Sequence, residues 1–231
     1  MSRSVTLTPE EAARAIYLDF EGTEKEDPSL LGSVFVPGRR LRSDQALRYQ
    51  VDILEPALAP AVDAVVNNGR AAMLCRCRSI TTALSDLVGR AEKQDRWLVS
   101  WSERERDAVR DARLPHDLAA RFDARWVNGI GMAKRWKAQD HPHVTFDRDV
   151  ARGRHQLVRY FDLAGYAPSE MGRATAPADA IRRVRKGLAR AGAFDGLTSG
   201  QKEQWLGLIA HNFDDCAGMR QVLISAAAAL A

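Results

Sequence analysis

A mixed α/β fold, a sheet with helices packed on its faces, is what the sequence predicts, and three observations carry that expectation. Strand-like runs crowd the first third of the chain, at 15–20, 33–36 and 48–54. From residue 79 the apolar spacing turns helical, broken by one short strand-like run at 96–101. Helical patterns then continue to residue 231. Strands first, then helix, strand and helices, suit a layered α/β domain. Three early strands suggest that the sheet begins as an antiparallel meander.

Each element has its own signal. Residues 1–14 read as a lead in which TPEEAAR forms a helical turn. IYLDFEG (16–22) opens with β-branched and aromatic residues and reads as a strand. GTEKEDPSLLG (22–32) carries Gly22, Pro28 and Gly32 and reads as a loop. SVFV (33–36) and RYQVDIL (48–54) are the next strands, and Pro37 and Gly38 begin the connection between them. SITTALSDLVGRAEKQ (79–94) starts on Ser and places Ile80, Ala83, Leu84, Leu87 and Val88 on one helical face. RWLVSW (96–101) is a short strand, and SERERDAVRDARL (102–114) a helix capped by Ser102. Residues 116–137 read as helix throughout and 141–149 as loop. RHQLVRYFDLAGY (154–166) reads as a helix ending near Gly165. Residues 167–177 read as loop, 178–191 as a basic helix, and 198–231 as a long helix with a Thr start.

The 231 residues suit one domain, taken as 1–231 with a helical insertion at about 114–150. Hydrophobic content of 45% and charged content of 28% are those of an ordinary water-soluble domain. No apolar run approaches the roughly 20 residues that span a bilayer, so no membrane partner is expected. Acids stand near the N-terminus where a secretory signal would have its apolar core. Three cysteines, an odd number, argue against a disulfide framework and for a reducing cytoplasm. The net charge of +4 rests mostly on arginine, whose planar fork suits phosphate.

The acids are more informative. Asp19 and Glu21 lie two apart on a strand, so they share a face. Acids follow the 96–101 strand at Glu103, Glu105 and Asp107, where a helix N-terminus also favours them. In HNFDDCAGM (211–219), His211 and Asp215 share a face of an otherwise apolar helix. Carboxylates converging from separate elements repel one another unless a cation offsets them. Mg²⁺ and Mn²⁺ prefer such oxygens, and two such ions can clamp a phosphodiester.

At these residues the chain resembles the DEDD group of RNase H-like 3′–5′ exonucleases, most of all the predicted RecB-type nuclease branch with a ribonuclease H-like domain. YLDFEG is similar to the first motif and places Asp19 and Glu21. WLVSWSERERDAVRD resembles the branch's strand, aromatic residue and following acid, placing Trp101 and Glu105. GRHQLVRYFDLAGY (153–166) resembles a helix of that branch, and HNFDDCAGMRQVL its closing motif, placing His211 and Asp215. The likeness spans about residues 15–225. It implies an RNase H-like mixed sheet, an antiparallel meander followed by parallel strands, flanked by helices. It implies a hydrolase that cuts single-stranded DNA or RNA by a two-metal mechanism. Asp19, Glu21, Glu105 and Asp215 would be ligands of two Mg²⁺ or Mn²⁺ ions, with His211 as general base. A helicase or repair partner is open. The chain departs from the family pattern in having Glu105 where most members have Asp, and a His four before the last Asp where one subclass has Tyr. Asp214 adjoins Asp215 but points about 100° away on a helix.

The rival from another class is a non-catalytic nucleic-acid-binding or assembly module that keeps the fold. It would lack at least one ligand, whereas all four positions hold acids. Other motifs give less. Cys75-Arg-Cys77 lacks the spacing and second ligand pair of a zinc site and reads as a half-buried strand or helix edge. Trp126, Trp136 and Trp205 suit a core better than a stacking surface for bases. IRRVRKGLAR (181–190) is a basic face, solvated or touching phosphate. There is no Ser elbow, P-loop or dinucleotide fingerprint.

Overall fold

Side chains alternate across a strand, and β1 (Ile16–Glu21) divides its own between two cores. Ile16 and Leu18 join a cluster with Leu31, Phe35, Leu84, Leu87, Val88 and Phe122. Tyr17 joins the other, with Val34, Tyr49, Trp205, Leu208 and Phe213. Asp19 and Glu21 follow Tyr17 at steps of two, so they point to this second side.

The computed structural model describes residues 5–23, 27–38, 46–64, 72–146 and 156–231. Residues 1–4 of the lead, 24–26 of the first loop, most of the connection after Gly38, 147–149, and 153–155 of the third motif lie outside the described residues.

β1 pairs antiparallel with β2 (Leu30–Phe35), and β2 pairs antiparallel with β3 (Arg48–Ile53). This is the meander expected. β5 (Leu98–Ser100) runs parallel to β1 on its other side. Two further strands complete the sheet, the first expected only as a half-buried strand or helix edge at Cys75-Arg-Cys77 and the second not read from sequence. β4 (Ala72–Cys77) pairs parallel with β3 at one edge, and β6 (Trp126–Asn128) pairs parallel with β5 at the other. The sheet order is β4-β3-β2-β1-β5-β6. The fold is therefore the α/β architecture expected: a mixed sheet, antiparallel and then parallel, flanked by helices.

Helices cover both faces. The first core lies under α2 (Ile80–Gln94), α3 (Glu103–Asp111) and α4 (His116–Arg125). α2 is amphipathic, and its Ala83, Leu84, Leu87, Val88 and Ala91 are buried. The face carrying the acids lies under α9 (Ser199–Ala229), at about 1.5 Å per residue roughly 46 Å long. Thr198 and Gln201 close a capping box at its start. α9 packs on β1 and β2 and is flanked by α1 (Pro9–Arg14), α5 (Gly129–Asp140), α6 (Val158–Phe161), α7 (Glu170–Arg173) and α8 (Pro177–Ala191).

Four readings need correction. Residues 116–137 are not one helix: α4 ends at Arg125 and β6 intervenes before α5. Residues 30–32, read as loop, belong to β2, because they pair with β1. Of 156–166 only Val158–Phe161 is α-helical, and the turns that follow close at Gly165, whose φ is +65°. The loop 167–177 contains the short helix α7. Trp126, Trp136 and Trp205 are all buried, so they form core and not a stacking surface. No helix among the described residues is long and apolar enough to cross a membrane.

Candidate active site

The C-terminal end of β1 delivers Asp19 and Glu21 beneath the middle of α9, where one turn presents His211 and Asp215. Glu21, His211 and Asp215 offer ligand atoms that all lie within 4.8 Å of one another. His211 Nε2 is 3.8 Å from Glu21 Oε1 and 3.6 Å from Asp215 Oδ2. Its Nδ1 lies 3.1 Å from the Gly172 carbonyl. That carbonyl can only accept, so Nδ1 carries a proton and Nε2 faces the acids.

Glu105 comes from α3 and plays two parts. Its Oε2 accepts from the Ser102 backbone N–H at 3.1 Å and from Ser102 Oγ at 2.9 Å, closing a capping box. The helix-start role is real, and the carboxylate still acts on Asp19 across the site. Asp19 and Glu105 stand outside the tight group of Glu21, His211 and Asp215. Glu103 and Asp107 turn away: Glu103 accepts from Asn128 and pairs with Arg106, and Asp107 pairs with Arg110.

Asp214 is a different kind of residue from Asp215. It is buried and accepts from Tyr166 Oη at 2.8 Å, Ser169 N–H at 2.8 Å and Ser169 Oγ at 2.6 Å. A Cβ at Gly172 would come 2.6 Å from Asp214 Oδ2. Asp214 thus clamps α7 onto α9, which fixes the carbonyl that holds His211.

Sequence reading missed Asn212. It is fully buried, and its Nδ2 donates to Asp19 Oδ2 at 2.9 Å and to Asp19 O at 3.2 Å. Its Oδ1 accepts from Tyr49 Oη at 2.8 Å. Gly32 lies directly opposite Asp19 in the β1–β2 register, and a Cβ there would overlap Asn212 Oδ1. The available signal was a polar residue on the face of Asp215, three positions before it, in an apolar helix.

The electrostatics agree with a site built for a cation. Asp19 is pushed well above the carboxylate range by burial first, then by Glu21, Asp215 and Glu105. Glu21 is pushed up to about 8 by burial, against the lowering effect of His211. Burial also raises Asp215 and Glu105. His211 loses basicity through burial, but Asp215 and Glu21 more than restore it, so its pKa lies above the ordinary value. Acids that raise one another in this way cannot all ionise in low dielectric without positive charge among them. Glu21 is only 8% exposed, and its buried Oε1 has no hydrogen-bond partner among the described residues. A buried acceptor left unpaired costs roughly 1–3 kcal/mol unless something meets it. Hard oxygen donors and an orphaned carboxylate oxygen fit a divalent cation. Asp19, Glu21, Glu105 and Asp215 are the residues that would hold it.

No protein-family model matches the chain, and no curated protein matches it significantly.

Proposed function

We propose that the protein is a divalent-metal-dependent nuclease, acting on single-stranded DNA or RNA from the 3′ end. The observation that carries this reading is the orphaned Oε1 of Glu21, set among acids from β1, α3 and α9. The 3′–5′ direction rests on the resemblance of the motifs. Asp19, Glu21, Glu105 and Asp215 would hold Mg²⁺ or Mn²⁺, which would supply Lewis-acid activation of water and stabilise charge on the phosphodiester oxygens.

The chain's own residues do the rest. Asn212 fixes the Asp19 carboxylate through Oδ2. Ser102 fixes Glu105 in the same manner through Oε2. Gly172 holds the His211 ring so that Nε2 presents a lone pair beside Glu21 and Asp215. A water entering between them gives its proton to Nε2. The three cysteines are free thiols, which supports a cytoplasmic setting.

The test is cleavage of a 5′-labelled single strand in Mn²⁺. Wild type should shorten it progressively, and Asp19→Asn should not. A wild-type protein that leaves the strand intact, or an Asp19→Asn protein that cuts it equally well, overturns the reading.

A further inference from the structure

A groove of about 1000 Å³ opens beside the acid cluster, lined by His211 and Asp215 of α9 together with Arg173, Thr175, Asp179 and Arg182. We propose that this groove, continued by the outward row Arg182, Lys186 and Arg190 of α8, is the track for the phosphate backbone of the single strand. The inference rests on the nuclease reading and adds to it the path by which the strand leaves the site.

Charge bookkeeping along the chain points to this wall. Many arginines are engaged with acids: Arg78 with Asp52 and Asp86, Arg106 with Asp123, Arg121 with Glu92, Arg125 with Asp95. Arg173, Lys186 and Arg190 are exposed and make no ion pair among the described residues. Among the described residues Arg182 pairs with Asp179 alone, and the two side chains are 56% and 55% exposed. Exposed pairs of this kind contribute little, so a phosphate can displace the carboxylate.

Geometry makes these cations a line. Ala180, Ile181, Val184, Gly187 and Leu188 turn the apolar side of α8 into the core. That leaves Arg182, Lys186 and Arg190, four apart, stacked on the outer side over about 12 Å. Arg173 ends α7 and lines the same groove as Arg182 and His211. α7 is itself fixed by Asp214, so the first cation is held in place relative to Asp215. Strands bound through phosphates show a salt dependence of roughly −0.7 per phosphate in log K against log salt.

The experiment measures binding of a fluorescent oligothymidylate by anisotropy in EDTA, across about 50–200 mM salt. The proteins compared are wild type, Arg173→Ala/Lys186→Ala/Arg190→Ala, and Arg104→Ala. Arg104 is exposed on α3 and would mark a rival exit. In parallel, Mn²⁺-dependent hydrolysis of bis(p-nitrophenyl) phosphate, too small to reach α8, is followed. The triple variant should bind more weakly, its salt slope should flatten by about 2, and its hydrolysis of the small diester should match wild type. Arg104→Ala should behave as wild type in binding. An unchanged slope in the triple variant overturns the track, and wild-type cleavage of the small diester then leaves the nuclease reading standing. Flattening caused by Arg104→Ala alone also overturns it. A flattened triple variant alongside a wild type that hydrolyses no diester supports the track and overturns the nuclease reading.

Discussion

Replacing Gly32 with Ala should damage the site from the far side of Asn212. Alanine in a strand interior ordinarily gains about 0.5–1 kcal/mol over glycine. Here the added Cβ would lie 2.6 Å from Asn212 Cγ and overlap Oδ1, so the buried amide must move. Three hydrogen bonds go with it: two from Nδ2 to Asp19 and one from Tyr49 Oη. Each contributes about 0.5–1.5 kcal/mol, more when the partner is charged. Set against the small gain, the net loss is about 2–4 kcal/mol, a fall in Tm of about 5–15 °C for a chain of this size. Urea unfolding of Gly32→Ala, Asn212→Ala and the double variant would isolate the contact. Truncating Asn212 clears the space, so the second substitution should then cost little, with a coupling of about 1–3 kcal/mol. Additive losses, or a Gly32→Ala protein as stable and active as wild type, would refute the claim that Asn212 is packed against Gly32 to hold Asp19.

Other expectations follow from the same contacts. In EDTA, stability should fall as pH rises from about 4.5 to 8, by up to about 1.4 kcal/mol per pH unit, because folded Glu21 keeps a proton that the unfolded chain releases. The raised His211 works in the same direction, since its stabilising charge is lost as pH climbs past its folded pKa; stability rising over that window in urea titrations would contradict both. Asp19→Asn should abolish metal-dependent cleavage and hold or raise stability in EDTA, since it removes one of the repelling acids. His211→Ala should be milder, within the roughly 10²–10⁴-fold of a positioned base, and a wild-type rate across pH 6–9 would make His211 structural. Asp214→Ala should cost about 2–4 kcal/mol by stranding Tyr166 and Ser169 donors, yet leave Mn²⁺ binding intact in a calorimetric titration.

What was legible depended on how local each cause is. The shared face of Asp19 and Glu21 follows from strand pleat alone, and the shared face of His211 and Asp215 from helix pitch. The Ser102 start of α3 was equally local, because the cap and its partner Glu105 are three residues apart. β6 was not legible: three residues between two helices carry no period, and its strand character comes from pairing with β5. β4 is likewise made by its neighbour, with Leu74 and Cys77 left exposed at the sheet edge. Gly32 read as a loop breaker because its reason for being glycine lies 180 positions away, at Asn212. α7 follows the same rule, since Asp214 holds Ser169 across a long sequence separation.

The central claim is that the four acids form a cation site, and Mn²⁺ binding measures it without any substrate. Free Mn²⁺ followed by electron paramagnetic resonance should show saturable binding of two ions by the wild-type protein, with a matching rise in Tm, because a ligand bound only to the folded state stabilises it. Asp19→Asn and Asp215→Asn should each lose that binding, while Asp214→Ala keeps it. No saturable binding by wild type, or full binding by a protein lacking both Asp19 and Asp215 carboxylates, would contradict the account.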